Sequence, residues 1–167
     1  MEKVSVAKAY DKFKPERCVF VISVNKEGKP SGMICGMSTK CSRKPGLFAV
    51  VLWKKGYTQK LIRESKEFVI AVPNKFLEKE VRLFGSVSGR DVDKFKESKI
   101  ETERAGFIKS PLIKNATLNF ECKLYKEVDF SDHIMFIGEI LASYINEDKK
   151  ILFNLKKVGG DRIFEEF

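Results

Sequence analysis

The chain reads as a mainly β (α+β) protein, an antiparallel barrel with two or three inserted helices. Three observations predict this. Six or seven segments carry β-type apolar patterning, against only two or three of helical period. Strands and helices do not alternate strictly, which argues against a doubly wound parallel sheet. The Gly-x-Gly-x-x-Gly dinucleotide fingerprint is absent, so any nucleotide must be held in another way.

The elements follow in order. Arg17 to Val24 is a continuous apolar, β-branched run and predicts a buried strand. Asn25 to Pro30 is a turn cluster, and Ser31 to Met37 returns as the second arm of a hairpin. Gly32 and Gly36 lie in that arm, and glycine inside a strand marks a bulge or a close approach to the backbone, the first hint of a ligand. Ser38 to Gly46 reads as a polar loop, and Leu47 to Trp53 as a third strand. Lys54 to Gly56 breaks that strand. Tyr57 and Thr58 then open a helix to about Ser65, with Thr58 as its N-cap and Leu61 and Ile62 facing a core.

Glu67 to Val72 is a fourth strand, stopped by Pro73-Asn74. Lys75 to Phe84 is a helix with Phe76, Leu77, Val81 and Phe84 at helical spacing. Gly85 to Gly89 reads as a turn, Asp91 to Lys96 as one short helical turn, and the stretch to Ser110 as polar and irregular. Two long β segments follow, Ala116 to Tyr125 and Ile134 to Ile145. Lys150 to Leu155 and Arg162 to Phe164 are short apolar pieces that close the chain. No repeat or linker divides residues 1–167, so a single domain is expected, of a size that buries a sizeable core without staples.

Composition narrows the function. No stretch approaches the roughly 18 to 20 apolar residues of a membrane span, and the N-terminus lacks a signal-peptide h-region. A cytoplasmic protein without membrane association is expected. Cys18, Cys35, Cys41 and Cys122 form no Cys-x-x-Cys pair and His133 is the only histidine, so no metal site is expected. The cysteines read as reduced, small buried hydrophobes. The net charge of +9 favours anionic partners, but lysines and glutamates interleave without a like-charge run. No nucleic-acid-binding motif accompanies the charge, so a basic module for nucleic acid or an acidic partner is the distant alternative.

A phosphate is held by backbone N–H groups, hydroxyls and one or two cations. Three segments supply them: Ser38-Thr39 with Ser42-Arg43-Lys44; Lys54 to Thr58, ending on a helix start; and Ser86 to Lys94, where Arg90 and Lys94 share a face if the segment is helical.

Five segments, in order, carry a family resemblance: Gly32 to Pro45, Tyr57 to Pro73, Ser88-Gly-Arg-Asp-Val-Asp-Lys-Phe95, Leu118 to Lys123 and Asp132 to Glu139. Together they resemble the flavin reductase-like, flavoredoxin-type family of FMN-binding split barrels, over about Val19 to Ala142. The resemblance implies a Greek-key split barrel and bound FMN. Met37, Ser38 and Thr39 would lie along the isoalloxazine and ribityl chain. Trp53, Lys54, Tyr57 and Thr58 would line the flavin, and Ser88, Gly89, Arg90 and Lys94 would hold the phosphate end. His133 would stand near the open flavin face, positioning a nicotinamide or other donor; as a lone strand histidine it equally fits a structural role. Trp53 fits either a core anchor or a stacking partner. Gly36-Met37 departs from the Asn-Ser or Ala-Ser of many members; a side-chain polar contact to the flavin is lost there, and the Met37 thioether is left to pack on the ring. The implied activity is an NAD(P)H-dependent flavin or ferric reductase, a homodimer passing electrons to flavin, ferric iron or a redox protein. The close alternative is an FMN electron-transfer protein without nicotinamide turnover.

Overall fold

The computed structural model describes residues 1–167. A short helix α1 (Val6–Lys12) and strands β1 (Glu16–Arg17), β2 (Val19–Val24), β3 (Pro30–Cys35), β4 (Ser38–Arg43) and β5 (Gly46–Trp53) lead to helix α2 (Tyr57–Ser65) and strand β6 (Glu67–Val72). A 3-10 turn (Lys75–Leu77), α3 (Glu78–Ser86) and α4 (Lys94–Ser98) follow, then β7 (Thr102–Glu103) and β8 (Leu112–Ile113). The long pair β9 (Leu118–Asp129) and β10 (His133–Ile145) and the hairpin β11 (Leu152–Val158) and β12 (Asp161–Glu166) complete the chain.

The main sheet has the order β3-β2-β6-β9-β10-β5-β4, antiparallel throughout. Its two edge strands, β3 and β4, are consecutive in the chain and parted only at Gly36-Met37. Val51 N–H donates to the Met37 carbonyl at 2.9 Å, and the Cys35 thiol donates to the Met37 and Val51 carbonyls. The run from Pro30 to Arg43 is thus one bent stave whose halves pair with β2 and β5, and the sheet closes on itself. The chain passes from β5 by way of α2 to β6, on the far side of the barrel. That crossover gives the Greek-key, mainly β split barrel that the sequence implied.

Two cores lie on the two sides of β2 and β6. Inside the barrel are Val19, Val21, Phe48, Val50, Leu52, Phe68, Ile70, Ile134 and Phe136, with Ile62 of α2. Outside, Phe20, Ile22, Val69 and Ala71 pack against Leu77, Val81 and Phe84 and against Leu152 and Phe164 of the C-terminal hairpin. Strands covered on both faces are apolar at nearly every position, which is why Val19–Val24 and Phe68–Val72 read as near-continuous runs; the one polar residue, buried Ser23, donates to the Glu67 carbonyl. β5 and β10 are covered on one face only and alternate at their Trp53 and His133 ends.

Several expectations change. Ser38 to Gly46 is not a loop: Ser38–Arg43 is β4, paired to β5 with a register shift between Lys40 and Ser42. Its pairing is by backbone and most of its side chains are exposed, so no apolar pattern marks it. Gly56, not Thr58, is the N-cap of α2; Thr58 is buried in the first turn. Lys75 to Phe84 divides into a 3-10 turn capped by Asn74 and α3, which continues through Gly85 to Ser86. The short helix after it begins at Lys94, capped by Asp93, so Arg90 lies outside it and shares no helical face with Lys94. The closing apolar pieces are a hairpin turning on Gly159-Gly160, both at positive φ as a two-residue turn demands. Among the cysteines, Cys41 is exposed; burial pushes the Cys18 and Cys122 thiols up to about 12 and Cys35 up to about 11.

Candidate functional site

A cleft of about 330 Å³ opens where the end of β5 turns into α2, facing β3 and the segment that leaves α3. Met33 and Ile34 of β3, with Phe84 and Val87, form its apolar wall, and Trp53 stands at its mouth. Gly56, Tyr57 and Thr58 from the start of α2, Ser86 to Arg90, and Lys94 make the other end polar. A larger cavity of about 660 Å³ lies between α3 and the C-terminal hairpin. Arg82 in its lining is engaged by Glu78 and the Arg162 carbonyl.

The polar end is built to receive an anion. α2 starts at Gly56 without a side-chain cap, so its first-turn N–H groups have no side-chain acceptor and the positive end of the helix faces the cleft. Lys94 is 3% exposed. Its Nζ donates to the Gly32 carbonyl at 2.8 Å and the Phe84 carbonyl at 2.9 Å, and it lies 5.5 Å from the centre of the Phe84 ring. No carboxylate pairs with it, and burial lowers its pKa to about 8. A buried cation without a counter-charge is costly, and an anion entering the cleft would supply that charge. Arg90 adds a second cation from the mouth: its Nη1 donates to the Lys55 carbonyl at 3.0 Å and its guanidinium lies 5.4 Å over the Tyr57 ring.

The turn that carries Arg90 is tightly made. The Ser88 hydroxyl accepts from the Arg90 N–H, and the Ser88 carbonyl accepts from Asp91 and Val92. A Cβ on Gly89 would stand 2.1 Å from Ser31 Oγ and 3.2 Å from Tyr57 Cδ1, so any side chain there would have to displace the Ser31 hydroxyl and press on the Tyr57 ring.

The structure therefore brings Trp53, Tyr57, Thr58, Ser88, Gly89, Arg90 and Lys94 together around one cleft. Trp53 is half exposed and is not a core anchor. Met37, Ser38, Thr39, Lys54 and His133 do not line it. Met37 lies across from Val51, two positions along β5 from Trp53 and on the same outer face; Ser38 and Thr39 pair with Val50 and Ala49. Lys54 pairs with Asp129 and donates its N–H to the Asp132 carbonyl. His133 is the β10 partner of Trp53, and its Nδ1 lies 2.9 Å from the Asp132 carboxylate, which holds that carboxyl below the usual range.

Sequence reading missed Met33, Ile34, Phe84 and Val87 as cleft wall and the Lys55 carbonyl as an anchor, because their roles depend on strand direction and on a contact across 35 residues. Gly32 was a true signal with a different cause: its Cβ would stand 2.6 Å from the Val21 carbonyl of the neighbouring strand.

No helix is long and apolar enough to cross a membrane, and no three His, Cys, Asp or Glu side chains are grouped as metal ligands.

Comparison with known proteins places this geometry. The family model described as flavin reductase like domain matches residues 15–159. An uncharacterized protein of Archaeoglobus fulgidus is 37% identical over 113 residues, 68% of this chain and 64% of its own length, so the chain spans less than two thirds of that relative. A ferric-chelate reductase (NAD(P)H) of the same organism is 26% identical over 84% of this chain and 85% of its own. The crystal structure of flavoredoxin from Methanosarcina acetivorans is similar over 100% of this chain and 92% of that one, with a TM-score of 0.82 and 25% identity.

Proposed function

This chain belongs to the flavin reductase-like family, and on that premise we propose that it is an FMN-binding oxidoreductase that takes hydride or electrons from a nicotinamide or a protein donor and passes them to flavin, ferric iron or a redox protein. One observation carries the reading: a buried Lys94 without a carboxylate partner, an uncapped helix start and the Arg90 guanidinium, which pairs with no carboxylate, converge on one end of a cleft whose other end is apolar and aromatic. That asymmetry suits a ligand with a phosphate at one end and a flat ring at the other.

FMN supplies the hydride and one-electron chemistry when bound. The residues of the chain hold and orient it. Lys94 and Arg90 take the phosphate with the α2 N–H groups and the Ser88 hydroxyl. Met33, Ile34 and Trp53 exclude water from the ring end, and His133, beside Trp53, positions the donor. Met37 lies further along the same outer face, with Ser38 and Thr39 following it on β4, and Met37 and Trp53 are half exposed next to Val51 and Met135. An exposed apolar strip beside a redox site supports a symmetric homodimer with these residues near the interface.

The test is the visible spectrum of the purified protein loaded with FMN, before and after anaerobic NADH and then NADPH. Bleaching by either nicotinamide is expected. Bleaching by dithionite alone supports an electron-transfer protein fed by a protein donor. Failure to retain FMN overturns the reading.

A further inference from the structure

A third cavity, of about 420 Å³, lies apart from the flavin cleft and shares no residue with it. It opens between the 3-10 turn with α3, the end of α4 and the segment before β9. Its apolar side is Leu77 and Ile100, both buried in the outer core, with Phe76 at the rim, 84% exposed. Its volume falls within the roughly 300 to 1,000 Å³ of small-molecule sites.

The charges around it are unevenly used. Glu101 pairs with Lys114 at 3.1 Å. The Lys149 ammonium donates to the Asn115 carbonyl at 3.2 Å and to its side-chain oxygen at 3.4 Å. Two charges are left. Glu80 Oε2 is buried with no hydrogen-bond partner, and the ion pairs of α3 run through Glu78 instead, to Lys75 and Arg82. Lys99, the C-cap of α4, stands at positive φ and pairs with no carboxylate. Glu80 and Lys99 line one cavity and form no ion pair with each other.

A carboxylate oxygen buried without a donor is costly, and an ammonium entering the cavity would supply the donor. A purely anionic ligand would leave that oxygen unrelieved. A purely cationic one would bring a like charge beside Lys99. A ligand with both charges on one carbon answers both residues and leaves its side chain for the apolar wall.

We propose that this cavity binds a free α-amino acid with an apolar side chain. Its ammonium pairs with Glu80, its carboxylate with Lys99, and its side chain packs against Phe76, Leu77 and Ile100. The site stands independently of the flavin reading.

The experiment is calorimetric titration of the full chain with L-leucine and L-phenylalanine. Two analogues of phenylalanine that each lack one charge, 3-phenylpropionate and phenethylamine, are titrated beside them. Saturable binding of an amino acid is expected. Each analogue should bind at least about tenfold more weakly than phenylalanine, one charge-assisted contact being lost. The same loss is expected for the amino acid on Glu80→Gln and on Lys99→Met, with an unchanged far-ultraviolet circular dichroism spectrum showing that each variant is folded. No saturable binding of either amino acid below about 10 mM overturns the proposal. So does either analogue binding within tenfold of phenylalanine, or unaltered affinity in either folded variant. Should a variant fail to fold, the analogue series on the wild-type chain decides alone.

Discussion

Arg90 is tied to Lys55 across the mouth of the cleft. Its Nη1 donates to the Lys55 carbonyl at 3.0 Å while the guanidinium covers the Tyr57 ring at 5.4 Å, so the turn after α3 is clasped to the loop that starts α2. The clasp orders the side chain before any ligand arrives. Less rotamer freedom is then lost on binding a phosphate.

Arg90→Ala removes charge-assisted bonds of about 1.5–3 kcal/mol. FMN affinity should fall about ten- to a hundredfold by titration. Arg90→Lys should recover only part of it, since an ammonium cannot hold the Lys55 carbonyl, the Tyr57 face and a phosphate together. An unchanged affinity for Arg90→Ala removes Arg90 from the phosphate site.

Lys94 makes binding pH-dependent. Its folded pKa of about 8 lies below the ordinary lysine value. Between about pH 8 and 10.5 the unfolded chain therefore binds the extra proton, and this group's contribution to stability rises with pH across that window. Ligand affinity runs the other way, because the cation that pairs with phosphate is lost above about pH 8. FMN affinity measured from pH 7 to 9.5 should fall through that range, with proton uptake on binding. In Lys94→Met the fall should flatten. A level profile in the wild-type protein is the contrary result.

His133 lies beside Trp53 and outside the cleft lining, hydrogen-bonded to Asp132. His133→Ala should slow anaerobic reduction by a nicotinamide several-fold in stopped-flow traces and leave FMN affinity within about twofold, each tenfold change corresponding to about 1.4 kcal/mol. If reduction and affinity both stay at wild-type values, the residue is structural.

Gly138 tests the barrel itself. A Cβ there would stand 2.6 Å from Phe68 Cζ and 2.7 Å from Cys122 Cβ, at a register shift between β9 and β10. Gly138→Ala overfills a closed core and should cost about 1–3 kcal/mol by urea unfolding. Phe68→Leu in the same chain should restore part of the loss, which a cause outside this contact would not allow.

Much of this protein was legible in its sequence because the signals were local or compositional. β2 and β6 are apolar at nearly every position because both faces are covered, and a run of that kind can be read without knowing what covers it. The turn residues around α2 and the hydroxyl- and cation-rich segment Ser86 to Lys94 do line one end of the cleft, even though their helix boundaries shifted. β4 was invisible, since its backbone pairs while its side chains stay polar and exposed. The spacing of Arg90 and Lys94 suggested one helical face, yet the fold leaves Arg90 at the surface on a turn and buries Lys94 on α4 against the Gly32 and Phe84 carbonyls. They meet at one cleft only because the segment after α3 packs back onto β3 and the start of α2. The sequence by itself determined which residues are apolar, which are charged and where the chain turns. The tertiary structure alone decided that a lysine would be buried without a counter-charge and an arginine clasped to a carbonyl 35 residues away, because both depend on long-range packing that no local pattern encodes.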